Sequence, residues 1–267
     1  MTHTYKDSGN AKAGEILAFV DTAFGNGADA AVPAACLPLL TRCAGCRPHR
    51  HGELKGCFVF RASVCAQTRC GLFERVAAAL ALAVLSPLFC AIAALILLFD
   101  GPPVLFRQER YGKGGAPFTL FKFRTMLRHS ESLHAKLQRR QGSKGRLFKL
   151  ENDPRVTRFG GFLRRTFLDE LPQLANVVRG EMRIIGPRPL PASDEGHYTQ
   201  PCHALRLKGL PGMTGLWQVS GRNERTFDEM CLLDLYYLSN RSAALDARIV
   251  WRTVCLLFKQ IDLEREA

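Results

Sequence analysis

Hydrophobic and polar positions divide this chain into three unlike parts. Residues 1–70 carry only short, Ala-rich apolar stretches among polar ones. Residues 76–99 then run for 24 positions without a charge, between Glu74-Arg75 and Asp100. Beyond them the apolar positions fall into shorter patterns. Phe118-Thr119-Leu120-Phe121-Lys122-Phe123 alternates like a strand, and Pro103-Val104-Leu105-Phe106 reads as its partner across a glycine turn at 111–115, which predicts a hairpin. A phosphate loop is the rival reading of those glycines, but the Gly-Lys-Ser/Thr of the Walker pattern is absent. Residues 127–150 are polar and basic and read as helix then loop. Asp153-Pro154 marks a helix start, with the carboxylate as cap and proline in the first turn. Thr166 marks another, three residues before Asp169. That helix runs to 178–179 and stops at Gly180, with Pro172 tolerated in its first turn. Residues 209–221 are Gly-rich and irregular, and hold Trp217 and Gln218. In 227–238 and 245–258 apolar residues recur at helical spacing. The second of these bears Trp251, Arg252 and Lys259 and suits either a core helix or a helix lying in a membrane interface.

The uncharged run is long enough to span a bilayer core. Its flanks argue about how it does so. Arg61, Arg69 and Arg75 precede it, and Arg107, Arg110, Lys113, Lys122 and Arg124 follow it. Basic residues collect on the cytoplasmic side of a membrane segment, and here both ends qualify. Ser86-Pro87 lies near the middle, where proline removes a backbone donor and serine can satisfy a freed carbonyl. A re-entrant helix, broken at Ser86-Pro87 and leaving by the face it entered, fits both facts. A kinked single pass is the alternative.

Charge adds a second layer. The chain has a formal net charge of +13. Residues 101–188 hold 19 Lys+Arg against 7 Asp+Glu, so 19 − 7 = +12 of it lies there. Such a field suits phosphates, nucleic acid or an anionic membrane surface. Asp169 and Glu170 sit side by side within it. Two adjacent carboxylates can hold a divalent cation and supply a nucleophile, while arginines hold phosphates. At a helix N-terminus they can equally be dipole-complementing caps. Arg188, fixed in Gly186-Pro187-Arg188-Pro189, is a candidate oxyanion or phosphate clamp, or a solvated loop arginine.

Six of the ten cysteines lie within the first 70 residues. The first 20 residues lack the pattern of a cleavable signal, so the thiols read as reduced and cytosolic. Cys43-Ala44-Gly45-Cys46 with His49, His51 and Cys57 resembles a zinc-ligand set, although its spacing fits no standard finger. An unstructured tail is the default for residues 1–68, with a membrane helix at 69–101 and a candidate catalytic domain, holding the acidic pair, at 102–262.

Several motifs then occur in a telling order. The apolar run with Ser86-Pro87 precedes Lys122-Phe123-Arg124-Thr125-Met126 and Asn152-Asp153-Pro154-Arg155. Leu168-Asp169-Glu170-Leu171-Pro172-Gln173, Gly186-Pro187-Arg188-Pro189 and Gly215-Leu216-Trp217-Gln218-Val219-Ser220-Gly221-Arg222 follow. Over residues 69–260 the chain closely resembles the bacterial sugar transferases, monotopic phosphoglycosyl transferases that prime glycan assembly. The resemblance implies a helix-rich α+β fold: a small cytosolic catalytic domain on a re-entrant membrane helix, with interfacial amphipathic helices. It implies transfer of a sugar-1-phosphate from a UDP-sugar, glucose or galactose being favoured, to undecaprenyl phosphate, with release of UMP. Asp169 would be the nucleophile and Glu170 a ligand of Mg²⁺. Lys122, Arg124, Arg164 and Arg188 would bind substrate phosphates, and Ser86 and Pro87 would break the membrane helix. The expected setting is the bacterial inner membrane, facing the cytoplasm and in contact with inner-leaflet lipids. Nucleic acid is not an expected partner, and a homo-oligomer stays open. Phe167 departs from the pattern, which often has Ser there, and leaves substrate detail in doubt.

Two non-enzymatic readings compete. One is a membrane-tethered binder of anionic polymers, which no aromatic-basic nucleic-acid motif supports. The other is an inactive scaffold, which requires the acidic pair to be only a cap.

Overall fold

The computed structural model describes residues 70–128, 130, 153–191, 201–221 and 226–265. The cysteine- and histidine-bearing set at 43–57 and most of the basic stretch at 127–150 lie outside them. The fold is a helix-rich mixture of α and β, as the sequence predicts. Its elements are α1 (Leu72–Val84), α2 (Ser86–Phe99), β1 (Leu105–Tyr111), β2 (Pro117–Phe123), α3 (Arg158–Arg165), α4 (Leu174–Arg179), β3 (Arg183–Ile185), β4 (Gly212–Thr214), α5 (Leu216–Val219), α6 (Phe227–Asn240) and α7 (Ala243–Arg265). A 3₁₀ segment, Leu168–Gln173, joins α3 to α4, and another, Pro201–Lys208, precedes β4.

The uncharged run is two helices bent by 59° at Leu85. Pro87 lies in the first turn of α2, where its missing donor costs nothing, and the Ser86 hydroxyl donates to the Ala83 carbonyl at 2.8 Å. No single described helix is long and apolar enough to cross a membrane; the bent pair has the length and composition. Its outer surface is apolar and exposed, with Phe73, Leu80, Val84, Leu98 and Phe99 among the uncovered side chains. Exposed apolar area on that scale marks a surface that something else covers.

The inner faces of both helices are tied to the rest. Ala78 of α1 packs with Leu120, Leu174 and Val177, and Arg75 Nε donates to the Val178 carbonyl at 2.8 Å. Glu74 meets Arg183 Nε at 2.9 Å. Ile92 and Ile96 of α2 are buried against Phe123 and Leu163. Each such aliphatic side chain contributes about 1.5–3 kcal/mol relative to exposure. A third cluster joins α5, α6 and the inner face of α7 through Leu216, Met230, Leu233, Leu245 and Ile249.

β1 and β2 form the expected antiparallel hairpin, in register from Leu105 opposite Phe123 to Tyr111 opposite Pro117. β3 and β4 pair in parallel, a contact the sequence pattern does not reveal. It depends on glycine. A Cβ on Gly212 would lie 2.0 Å from the Gly186 nitrogen, and one on Gly215 would lie 2.2 Å from the Gly186 carbonyl oxygen. The two chain segments touch backbone to backbone.

Two helix starts differ from expectation. Asp153 opens no helix; its carboxylate accepts from the Arg155 amide at 3.0 Å and from the guanidinium of the same residue at 2.8 Å (Nε) and 2.6 Å (Nη2), closing a turn. Helix α3 begins at Arg158, capped by Thr157, whose Oγ1 accepts from the Gly160 amide at 2.9 Å. Thr166 closes α3 rather than opening the next helix, and its hydroxyl donates to the Phe162 carbonyl at 2.9 Å. At 153 the amide and guanidinium of one residue hold the carboxylate in a turn, and at 166 helix α3 is already ending. Gly180 stops α4 in the left-handed conformation, φ 80°, as expected. The 227–238 and 245–258 patterns are α6 and α7, and α6 opens with a capping box between Thr226 and Glu229. Helix α7 packs one face on the core through Leu245 and Ile249, the core-helix reading, and leaves Trp251 and Phe258 exposed on the other.

Candidate active site

Phe167 is the one described non-glycine residue with a positive φ, at 57°. The left-handed form costs an L-residue roughly 1–2 kcal/mol. Here it turns the chain out of α3 and straight into Leu168–Gln173, a tight 3₁₀ coil. The coil has no side-chain cap. Asp169 and Glu170 therefore stand in a first turn where their charge complements the helix dipole but neither side chain makes a capping hydrogen bond.

The two carboxylates differ sharply. Glu170 Oε1 meets the Lys122 ammonium of β2 at 2.6 Å and Arg188 Nη1 at 3.9 Å. Asp169 is 8% exposed. Among the described residues no hydrogen bond or ion pair engages its carboxylate. Burial drives its pKa up to about 6, with Glu170 adding to the rise and Lys122, Arg164 and Arg188 opposing it. Burial also pushes the Lys122 ammonium down, against the pull of Glu170. The arrangement is a buried, unbonded carboxylate inside a cage of cations. It costs stability as pH rises from about 4 to 6, because the folded state keeps a proton there that the unfolded chain releases.

The cage is built by neighbouring elements. Buried Asn176 of α4 donates to the Thr119 carbonyl at 2.7 Å and accepts from the Phe121 amide at 3.2 Å, pinning the 3₁₀–α4 unit to the strand that carries Lys122. Arg164, in the last turn of α3, donates from Nε to Thr125 Oγ1 at 2.8 Å, and its charge bears on Asp169. Arg188 lies over the Trp217 ring, 5.6 Å from its centroid. Lys122, Gln173, Arg188 and Arg110 share a cavity of about 10 Å³, room for one water.

Of the sequence-picked residues, Lys122, Arg164, Arg188, Asp169 and Glu170 come together. Arg124 does not. Its Nη2 donates to the Asp100 carbonyl at 2.7 Å and to that of Gly101, clasping the end of α2. A cation there complements the exposed carbonyls of a helix C-terminus. Ser86 and Pro87 form the bend, away from the pair. Sequence reasoning met Phe167 only as a departure from the family pattern, and Gln173 only inside a motif. Trp217 was seen only as part of a motif.

A metal fits this donor set in one way. No three ligating side chains of His, Cys, Asp or Glu converge among the described residues. Two carboxylates suffice for Mg²⁺, which keeps waters and completes its shell from substrate phosphates rather than from a protein cage.

The family model described as bacterial sugar transferase matches residues 66–260. The chain belongs to the bacterial sugar transferase family. Among its relatives, the exopolysaccharide production protein ExoY of Rhizobium meliloti is 40% identical over 186 residues, covering 68% of this chain and 82% of that protein. The galactosyl transferase CpsE of Streptococcus agalactiae is 41% identical over 177 residues, 64% of this chain and 39% of its own. The UDP-glucose:undecaprenyl-phosphate glucose-1-phosphate transferase of Escherichia coli is 39% identical over 186 residues, 67% of this chain and 38% of its own. The chain thus spans most of the first of these sugar transferase relatives and about two fifths of the other two.

Proposed function

We propose that this bacterial sugar transferase moves a hexose-1-phosphate from a UDP-hexose to undecaprenyl phosphate and so initiates exopolysaccharide, capsule or O-antigen synthesis. The observation that carries the reading is the buried Asp169 carboxylate, unbonded and ringed by Lys122, Arg164 and Arg188. Neither oxygen is tied up in a hydrogen bond among the described residues, and neither is wholly sealed from solvent; a nucleophile needs its lone pairs free and reachable. In the first step an Asp169 oxygen bonds to the sugar-bearing phosphorus, and the phosphoanhydride bond to UMP breaks with its electron pair on UMP. In the second, an oxygen of the prenyl phosphate attacks the same phosphorus and returns the Asp169 carboxylate. Splitting the transfer lets the two anionic substrates occupy the site in turn. Lys122 and Arg188 hold the diphosphate and Arg164 steadies the Asp169 charge, offsetting anion–anion repulsion in a partly buried setting. Mg²⁺, held by Glu170, would supply further positive charge to the diphosphate.

The same reading seats α1 and α2 in the inner leaflet as a re-entrant pair, with α7 presenting Trp251 and Phe258 to the interface. The cytoplasmic domain then meets a soluble nucleotide sugar on one side and a lipid phosphate on the other. The 59° bend and the exposed apolar faces support that seating.

The test is UMP release from UDP-glucose and UDP-galactose with undecaprenyl phosphate, with and without Mg²⁺. Release from one of them that needs the metal is expected; none from any UDP-sugar overturns the reading. The pH profile adds a second expectation. The nucleophile must be ionised, so kcat/KM is expected to rise with pH and level off above an apparent pKa near 6. A profile flat from pH 5 to 8 contradicts it.

A further inference from the structure

Arg206 and Asp234 lie outside every motif used so far. Both side chains are 1% exposed. Arg206 comes from the 3₁₀ segment before β4 and Asp234 from the middle of α6. Arg206 Nε donates to Asp234 Oδ2 at 3.0 Å, and its Nη2 donates to the same oxygen. That Nη2 also donates to the backbone carbonyl of Arg188, at 2.7 Å. Burial pushes the Asp234 carboxyl up, and the charges of Arg206 and Arg188 pull it back.

A buried ion pair is a poor adhesive. Desolvating both charges offsets most of their attraction, and a hydrophobic pair of similar volume holds two elements together at least as well. What a hydrophobic pair cannot do is donate to a carbonyl from a fixed planar fork. The carbonyl in question belongs to the residue whose guanidinium reaches Glu170 and lies over Trp217. Pro187 and Pro189 already narrow the backbone on either side of it.

We infer that Arg206 and Asp234 form a positioning pair that fixes the backbone of Arg188, and through it the guanidinium that receives the diphosphate of the nucleotide sugar. The inference rests on the proposed function for the role of Arg188. Neither member of the pair touches the acidic pair in this structure, so they act through Arg188 rather than as catalytic residues. Asp234 holds the fork, and the fork holds the loop.

A mutant cycle on the full chain in detergent tests this. Its arms are Arg188→Ala, the paired Arg206→Met with Asp234→Leu, and all three together. The readouts are UDP affinity by calorimetry, thermal midpoint, and the kcat and KM of transfer. UDP binding is expected to weaken by the same factor, on the order of 10–100-fold, in the first two arms, because a guanidinium displaced by about 1 Å loses most of its effect. The triple variant is expected to bind no worse than Arg188→Ala, while the paired variant keeps its thermal midpoint within a few degrees of the parent. Multiplicative losses in the triple variant, or parental affinity in the paired one, overturn the inference. Should the paired variant not fold, Arg206→Lys keeps the charge and removes the fork; it is expected to weaken UDP binding while staying folded, and parental affinity there overturns the inference equally. UDP binding is read without turnover, so loss of the proposed activity and loss of the positioning role appear in separate measurements.

Discussion

Asp169→Asn is expected to abolish transfer, with a loss on the order of 10³-fold or more, while the protein stays folded. The substitution keeps the shape of the side chain and removes the charge proposed to attack phosphorus. It should not harm the fold. Burial already disfavours the Asp169 charge, as its pKa near 6 records, so a neutral side chain relieves a cost. The expected result is a thermal midpoint at or above that of the parent together with no labelled product in the lipid extract from radiolabelled UDP-sugar. Ordinary labelling by folded Asp169→Asn would return the acidic pair to a structural role.

Gly212→Ala should produce the largest loss of stability among single-methyl additions near the site, about 3 kcal/mol or more. A methyl there would overlap the Gly186 nitrogen, at 2.0 Å, and Gly186 opens the turn that carries Arg188. Both contacting groups are backbone, so no side chain can step aside. The parallel pairing of β3 with β4 must loosen, and with it the donation from the Gly212 amide to the Pro187 carbonyl at 2.8 Å. Chemical denaturation, read as a lower midpoint at unchanged slope, checks the magnitude. Gly114→Ala is the natural control. Its added carbon meets nothing within 4 Å, so only its positive φ of 68° penalises it.

Much of this was legible in the chain. The hairpin was readable from the alternation at 118–123 and the glycines before it, because a strand's period and its turn residues are local properties. The break at Ser86-Pro87 was readable because proline writes its constraint directly into the backbone. The gathering of Lys122, Arg164 and Arg188 around Asp169 and Glu170 was legible only through the motif order, since those residues come from β2, α3 and the 186–189 turn. Arg124 shows the limit. It stands two residues from Lys122 and carries the same charge, yet the hairpin leads it to the end of α2. The β3–β4 contact was invisible because three-residue strands have no period to detect. Arg206 and Asp234, 28 positions apart, could not have been matched from spacing at all.

Phe167 has a practical consequence. An engineer looking for strain would stop at position 167, where glycine would remove the left-handed penalty at φ 57° but give up a half-buried ring and loosen the unfolded chain further. The exchange would also cost the site its aim. That single twisted peptide sets the direction in which the next three residues leave the helix, and a flexible hinge in its place would let the Asp169 carboxylate wander among its cations.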